Sequence, residues 1–268
     1  MNIVAILAIR NERVCLANCL RHLVRNGVDF AIIDQQSDDG SSVVYRSSEF
    51  SRHLVGVFQS EYAEEFSLRA QLEDKMRVIE GLGADWVIHL DADEMMHSNN
   101  DNETLHQSIT RLAAEGYNVI NFDEFVFLPV DRDYPSGVDG YPPLHFYYFF
   151  EPQPQRLMRA WLKADNFSPI QGGGHTLNGA PARIAPESLA LRHYMVQSQA
   201  HALTKYMHRR FASSELADGW HRQRANQPES AFLFPPPERL KHLNDPASHR
   251  LDRTDPWKVH YWRPGAWA

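Results

Sequence analysis

"WVIHLDADEMM", residues 86–96, runs five mostly apolar residues into three carboxylates within four positions, Asp91, Asp93 and Glu94. The apolar run has the length and composition of a buried strand. The carboxylates repel one another, so they are either solvated at a loop tip or gathered around positive charge. In a parallel α/β sheet, ligands bind outside the carboxyl ends of the strands. Alternate residues of an extended segment point the same way, so Asp91 and Asp93 at such an end can converge on one ion.

The flanking chain supplies the strands that this position needs. Residues 2–9 are a short apolar run, and residues 13–26 then place Leu16, Cys19, Leu20, Leu23 and Val24 at helical spacing before Gly27. A second strand at 30–33 ends in "DQQSDDGS" (34–41), which has the composition of a turn opening a helix. Residues 54–58 read as a third strand, 68–82 as a helix with Leu72, Met76 and Ile79 on one face, and 86–90 as a fourth strand. Strands alternating with helices at this spacing predict βαβ units and a mostly parallel, Rossmann-like sheet flanked by helices. Downstream come a helix at 105–115, strands at 118–127 and 156–161, a strand ending "ALRHY" (190–194) and a helix from about 198 to 216. Between them "LPVDRDYPSGVDGYPPLHFYYFFEPQPQ" (128–155) reads as a binding loop. Residues 1–215 are expected to form the catalytic domain, with 216–268 an irregular extension packed on it.

Composition narrows the function classes. The 268 residues carry a net charge of −7, with 43% hydrophobic and 23% charged residues, which is ordinary globular usage without a footprint for nucleic acid. The opening MNIVAILAI lacks a preceding basic segment, and no apolar stretch approaches the roughly 20 residues of a membrane span, so a cytoplasmic location is expected, with peripheral membrane contact open. Cys15 and Cys19, one helical turn apart, read as core residues.

Hard oxygen donors at Asp91 and Asp93 suit Mg²⁺ or Mn²⁺, held by few carboxylates so that substrate phosphates can complete the shell. A solvated turn is the plainer alternative, and Asp131-Arg-Asp133 shows that the triplet recurs. Position favours Asp91 and Asp93, because the segment before Asp131 is broken by Asp123, Glu124 and Pro129. The first strand likewise ends in Arg10-Asn11-Glu12, so three strand ends carry polar groups.

On these residues the chain resembles glycosyltransferases of the GT-A fold, specifically the family 2-like group. The resemblance rests on "ILAIRNER" (6–13), "GVDFAIIDQQSDDGS" (27–41), "GADWVIHLDADEM" (83–95) and "LRHYMVQSQAHALTKY" (191–206), and covers roughly residues 3–215. It implies a metal-dependent, inverting transfer of sugar from a nucleotide-diphosphate sugar, a UDP-sugar first, to a glycan or lipid-linked acceptor. Asp91 would face the ribose or a metal-bound water, and Asp93 would ligate the metal. Ala8, Arg10, Asn11, Asp34, Gln35 and Asp38 would hold the nucleoside. Gln35 departs from a common pattern in which a carboxylate reads uracil there; an amide offers both a donor and an acceptor. A late histidine often completes the metal site, His193 first and His175 second. Lys205, with Arg209 and Arg210, would face the diphosphate. The base lies among Glu94, Asp123, Glu124 and Asp165, and Tyr134, Tyr141, Phe146, Tyr147 and Tyr148 could stack on acceptor sugars. The rivals are a nucleotidyltransferase and a non-catalytic carbohydrate- or nucleotide-binding module.

Overall fold

The computed structural model describes residues 1–130, 144–207, 209–222, 225, 227–263 and 265–267. The first half alternates strands and helices: β1 (Ile3–Ile9), α1 (Arg13–Arg25), β2 (Asp29–Asp34), α2 (Ser41–Tyr45), β3 (Leu54–Gln59), α3 (Leu68–Gly81) and β4 (Trp86–Leu90). Next come β5 (Glu94–His97), α4 (Leu105–Ala114), β6 (Val119–Leu128), β7 (Phe146–Phe150), β8 (Met158–Leu162) and β9 (Leu189–His193). The last elements are α5 (Gln199–Met207), α6 (Ser213–Ala217) and β10 (Lys241–His242). Local chemistry sets several boundaries. The Ser67 side chain caps α3, a Thr104/Gln107 capping box starts α4, and Gly27, at φ 71, turns the chain out of α1.

The ten described strands belong to one sheet. β3, β2, β1 and β4 pair in parallel in that order, and β8 then joins β4 antiparallel. The first residues of β6 pair antiparallel with β8; beyond a register shift at Ile120/Asn121, the rest runs between antiparallel β7 and parallel β9. β5 adds antiparallel to β9, and β10 to β7. The sheet is therefore parallel over its first four strands and mixed beyond them. This brings the carboxyl ends of β1, β2 and β4 to one edge, and folds β5 and β9 beside the end of β4.

Alternation along β1 divides the core. Ile3, Ala5, Leu7 and Ile9 pack with α1 and α4 through Leu16, Leu20, Leu23, Ile109 and Leu112. Val4, Ile6 and Ala8 face Val78 and Ile79 of α3 on the other side. A strand covered on both faces reads as a continuous apolar run, which is why β1, β2 and β4 are visible in sequence. Cys15 and Cys19 are free and buried in the first of these clusters, as expected.

Three elements differ from expectation. Residues 94–97 form a strand where the carboxylates suggested only a turn. Residues 146–150, inside the expected loop, form β7, an aromatic strand whose neighbours on β6 are apolar from Phe125 to Leu128, with Glu124 opposite Phe150. The expected helix from 198 to 216 is two helices, with Phe211 between them bridged to Phe66. Residues 131–143, including Asp131, Asp133, Tyr134 and Tyr141, lie outside the described residues. Tyr261 and Trp262 from the tail pack with Tyr148 and Phe150, and Trp257 exchanges backbone hydrogen bonds with Phe149 and Glu151.

Candidate active site

A cavity of about 720 Å³ opens at the carboxyl ends of β1, β2 and β4. One side of it is built by two turns joined to each other. Asn11, in the left-handed region at φ 57, donates from Nδ2 to Asp38 (2.8 Å) and accepts from the Asp38 N–H (2.9 Å). Arg10 reaches Asp38 at 3.2 Å and the Gln35 carbonyl at 3.3 Å. Ala8, Arg10, Asn11 and Gln35 line the cavity, whereas Asp34 and Asp38 do not. Asp34 is buried and organises the turn, accepting from Tyr45 Oη and the Ser37 N–H, both at 2.8 Å. Gln71 of α3 donates to Gln35 Oε1 at 3.4 Å, so an amide pair stands where the resemblance has a carboxylate.

The floor collects the carboxylates with cations. Lys75 of α3, only 1% exposed, bonds the Leu90 carbonyl (2.9 Å) and Asp91 (3.3 Å). Lys205 Nζ lies 2.6 Å from Asp93 Oδ2. Glu94 accepts from the Asp91 N–H at 3.1 Å and from Arg159 at 3.1 Å, closing the turn from below. Glu124 pairs with Arg156 and accepts from His193 Nδ1 at 2.6 Å, while His193 Nε2 stands 3.7 Å from Asp93 Oδ2. The sheet explains this meeting: β5 sets Glu94 opposite His193, and β6 runs beside β9 with Val126 opposite His193.

Burial would push the Asp93 carboxyl up, but Lys205 and His193 outweigh it and hold it well below the usual carboxylate range. Asp91 is likewise lowered, burial being overcome by Lys75 and Arg159. Burial opposes the charge on Lys205 and His193, yet Asp93 raises both. Lys75 shifts down, because burial exceeds the pull of Asp91. Glu94 shifts up through burial, offset by Arg159. Glu12, which also lines the cavity, is pushed up to about 7, chiefly by burial.

His175 lines the cavity from the glycine loop, where Gly174 adopts φ +77 and a Cβ would stand 3.1 Å from His89 Nε2. Asp123 faces away from Glu124 along β6 and pairs with Arg253 at 2.7 Å. Asp165 ends a single 3-10 turn, accepts from Asn118 at 2.6 Å and lies outside the cavity. Phe146, Tyr147 and Tyr148 are strand residues off the lining; His260, held by a hydrogen bond with Tyr148, reaches it instead. Sequence reasoning passed over Lys75, Gln71, Arg156, Arg159 and His260. Lys75, Gln71 and Arg159 sit within elements, Arg156 just before β8 and His260 in the tail, and only the tertiary fold aims them inward.

The donor set does not fit the divalent ion that the resemblance implies. Asp93 already has an ammonium in contact, Asp91 has Lys75, and both ring nitrogens of His193 face carboxylates. Among the described residues, no three His, Cys, Asp or Glu side chains gather closely enough to hold a metal.

No family model matches the chain, and no curated protein matches it. Among solved structures it is similar to S. aureus TarS, with a TM-score of 0.47 and 11% identity over 87% of this chain and 41% of that one. A TarS 1–349 structure in complex with UDP-GlcNAc gives 0.47 and 10%, covering 74% and 60%. Mannosyltransferase PcManGT from Pyrobaculum calidifontis, solved with GDP-Man and Mn²⁺, gives 0.34 and 20%, covering 45% and 35%. A Bacillus anthracis protein described as a glucose-1-phosphate thymidylyltransferase gives 0.33 and 9%, covering 48% and 56%. The chain spans less than two thirds of the length of each.

Proposed function

We propose that the chain is an inverting glycosyltransferase that moves a sugar from a nucleotide-diphosphate sugar to a hydroxyl of a glycan or lipid-linked acceptor. One observation carries this: the ends of β1, β2 and β4 open on a single cavity that also holds Lys205, His193 and Glu124. Ligands at strand carboxyl ends are the rule for such sheets. Ala8, Arg10, Asn11 and Gln35 hold the nucleoside, Asp91 faces the ribose, and Lys205 with Arg10 and Arg209 meets the diphosphate.

In the transfer, the acceptor oxygen bonds to the anomeric carbon as the bond from that carbon to the diphosphate oxygen breaks. Glu124 takes the hydroxyl proton. Glu94 is placed for a different task, since its two oxygens fix the Asp91 turn and Arg159. Among the described residues the Glu124 carboxylate bonds to the side chains of Arg156 and His193, which can yield to an incoming hydroxyl. Among the described residues no helix is long and apolar enough to cross a membrane.

The test is a panel of uridine, guanosine, cytidine and thymidine diphosphate sugars. One of them is expected to release nucleoside diphosphate, and Glu124→Gln to lower that rate by roughly 10²-fold or more while nucleoside diphosphate affinity is kept. With inorganic diphosphate added to the same panel, formation of nucleoside triphosphate and sugar 1-phosphate instead would identify a nucleotidyltransferase, and binding without turnover on any acceptor would identify a non-catalytic module.

A further inference from the structure

We infer that Lys205, in place of a divalent cation, supplies the positive charge that meets the donor diphosphate, so that nucleotide binding and transfer are metal-independent. This rests on the nucleotide-sugar donor proposed above and adds how the leaving group is neutralised. It departs from the metal dependence that the sequence resemblance implies.

The observation is one of matched charges. Four carboxylates at this floor each have their own fixed cation: Asp91 with Lys75, Asp93 with Lys205, Glu94 with Arg159 and Glu124 with Arg156; Glu12 on the wall above them is pushed up to about 7 by burial. His193 bridges two of the pairs, Nδ1 to Glu124 at 2.6 Å and Nε2 toward Asp93 at 3.7 Å. A metal site needs the opposite arrangement, with carboxylate charge left over and an imidazole lone pair turned toward the ion. A divalent ion on Asp93 would have to expel the ammonium already on that carboxylate, because two cations sharing one nearly buried oxygen repel strongly.

Lys205 is also held as a structural group would be. Its Nζ donates to the Met195 carbonyl at 3.2 Å as well as to Asp93 at 2.6 Å, and its side chain is 12% exposed. Its helix is anchored next door by Tyr206, whose ring stacks on Phe232 with centroids 5.6 Å apart. An ammonium has three N–H donors. Two are used among the described residues, which leaves one for a phosphate oxygen. Arg10 and Arg209 line the same cavity, so further cations stand within it for the remaining phosphate charge.

Calorimetric titration of uridine, guanosine, cytidine and thymidine diphosphates, in EDTA and in millimolar Mn²⁺, tests this on the wild-type protein. The preferred nucleotide is expected to bind with affinities within about twofold in the two buffers. Lys205→Ala is expected to weaken that diphosphate by about 10- to 100-fold in EDTA while leaving the parent nucleoside unaffected, the loss of one charge-assisted hydrogen bond. Mn²⁺ should restore part of the affinity, because the substitution frees Asp93. Lys205→Arg, which keeps the charge, should stay metal-independent. Wild-type binding that vanishes in EDTA and returns with Mn²⁺ overturns the inference while leaving the proposed donor intact. Unchanged diphosphate affinity in Lys205→Ala, with the fold verified by its unfolding transition, overturns it as well. If no nucleoside diphosphate binds in either buffer, the proposed donor fails and the inference falls with it.

Discussion

Glu12 sits where β1 passes into α1, on the cavity wall, with its carboxyl raised from 4.5 to about 7 by burial, lowered in part by Lys205 and raised again by Asp93. It therefore gains its charge near neutral pH, in the cavity that also holds Lys205. As an anion it competes for that ammonium and repels a diphosphate, so nucleoside diphosphate affinity should weaken as pH rises from about 6 to about 8. Glu12→Gln should flatten this dependence; the ligand's own ionisation is common to both proteins, so calorimetry at the two pH values isolates the side chain. Equal slopes for the two proteins would remove Glu12 from the site. Sequence marked this residue only as part of the polar end Arg10-Asn11-Glu12 of the first strand, because a glutamate there is an ordinary turn residue until the fold sets it in the cavity. Lys75 was hidden for a similar reason: a lysine in the middle of α3 reads as a solvated face, and only β4 beneath it shows otherwise. Asp91 and Asp93 were legible because an uninterrupted apolar strand points at them.

At the scale of elements, β1 to β4 and the helices between them were readable because each strand is one apolar run bounded by turn chemistry. β5 and β7 were not. Four residues headed by a carboxylate carry too little periodicity to mark a strand, and FYYFF lies in a stretch rich in Pro and Gly whose partners on β6 are distant in sequence. The break between α5 and α6 has a tertiary cause, visible in Glu215. This buried carboxylate of α6 accepts from Ser67 Oγ (2.8 Å) and from the N–H groups of Leu68 (3.1 Å) and Arg69 (2.7 Å), the first turn of α3. An anion at a helix N-terminus satisfies orphan donors and complements the dipole. A continuous helix over 198–216 would not be turned by the segment around Phe211, which bridges to Phe66 immediately before α3. Glu215→Ala should therefore cost about 1–3 kcal/mol in urea unfolding. It should also lose amide-exchange protection at the start of α3, because residues 66–68 line the cavity from there. An unchanged midpoint would mean that Glu215 caps nothing of consequence.

The molecule as a whole buries titratable groups of opposite tendency, and its response to acid follows from their balance. Burial lowers His22 and His201 from 6.5 to about 4, and lowers His89 and His97 well below 6.5. A depressed histidine contributes stability in full above the unfolded value of 6.5 and loses it as pH falls toward the folded value. For His22 or His201 alone, this amounts to at most about 3 kcal/mol. Glu12 and Glu94 are raised, so their contribution has the opposite sign: it is present below 4.5 and is lost as pH rises through the folded value. His193, also raised, keeps its contribution below 6.5 and loses it as pH rises from there through its own folded value. Asp91 and Asp93 are lowered from 3.8 and act only in stronger acid. Four depressed histidines against two raised glutamates predict a urea midpoint that falls between pH 7 and about 4.5. His97 is the cleanest probe. Among the described residues neither of its ring nitrogens has a hydrogen-bond partner, and the ring packs on His22 and His249 with centroids 4.3 and 4.9 Å away. His97→Phe keeps the ring and removes the proton, so stability at pH 7 should hold or rise while the loss toward pH 4.5 becomes shallower. Glu12→Gln should act in the other direction and steepen it. A His97→Phe protein that loses stability with acid as steeply as the wild type would show that this imidazole takes up no proton on unfolding, being already protonated when folded, and that the acid response originates elsewhere in the molecule.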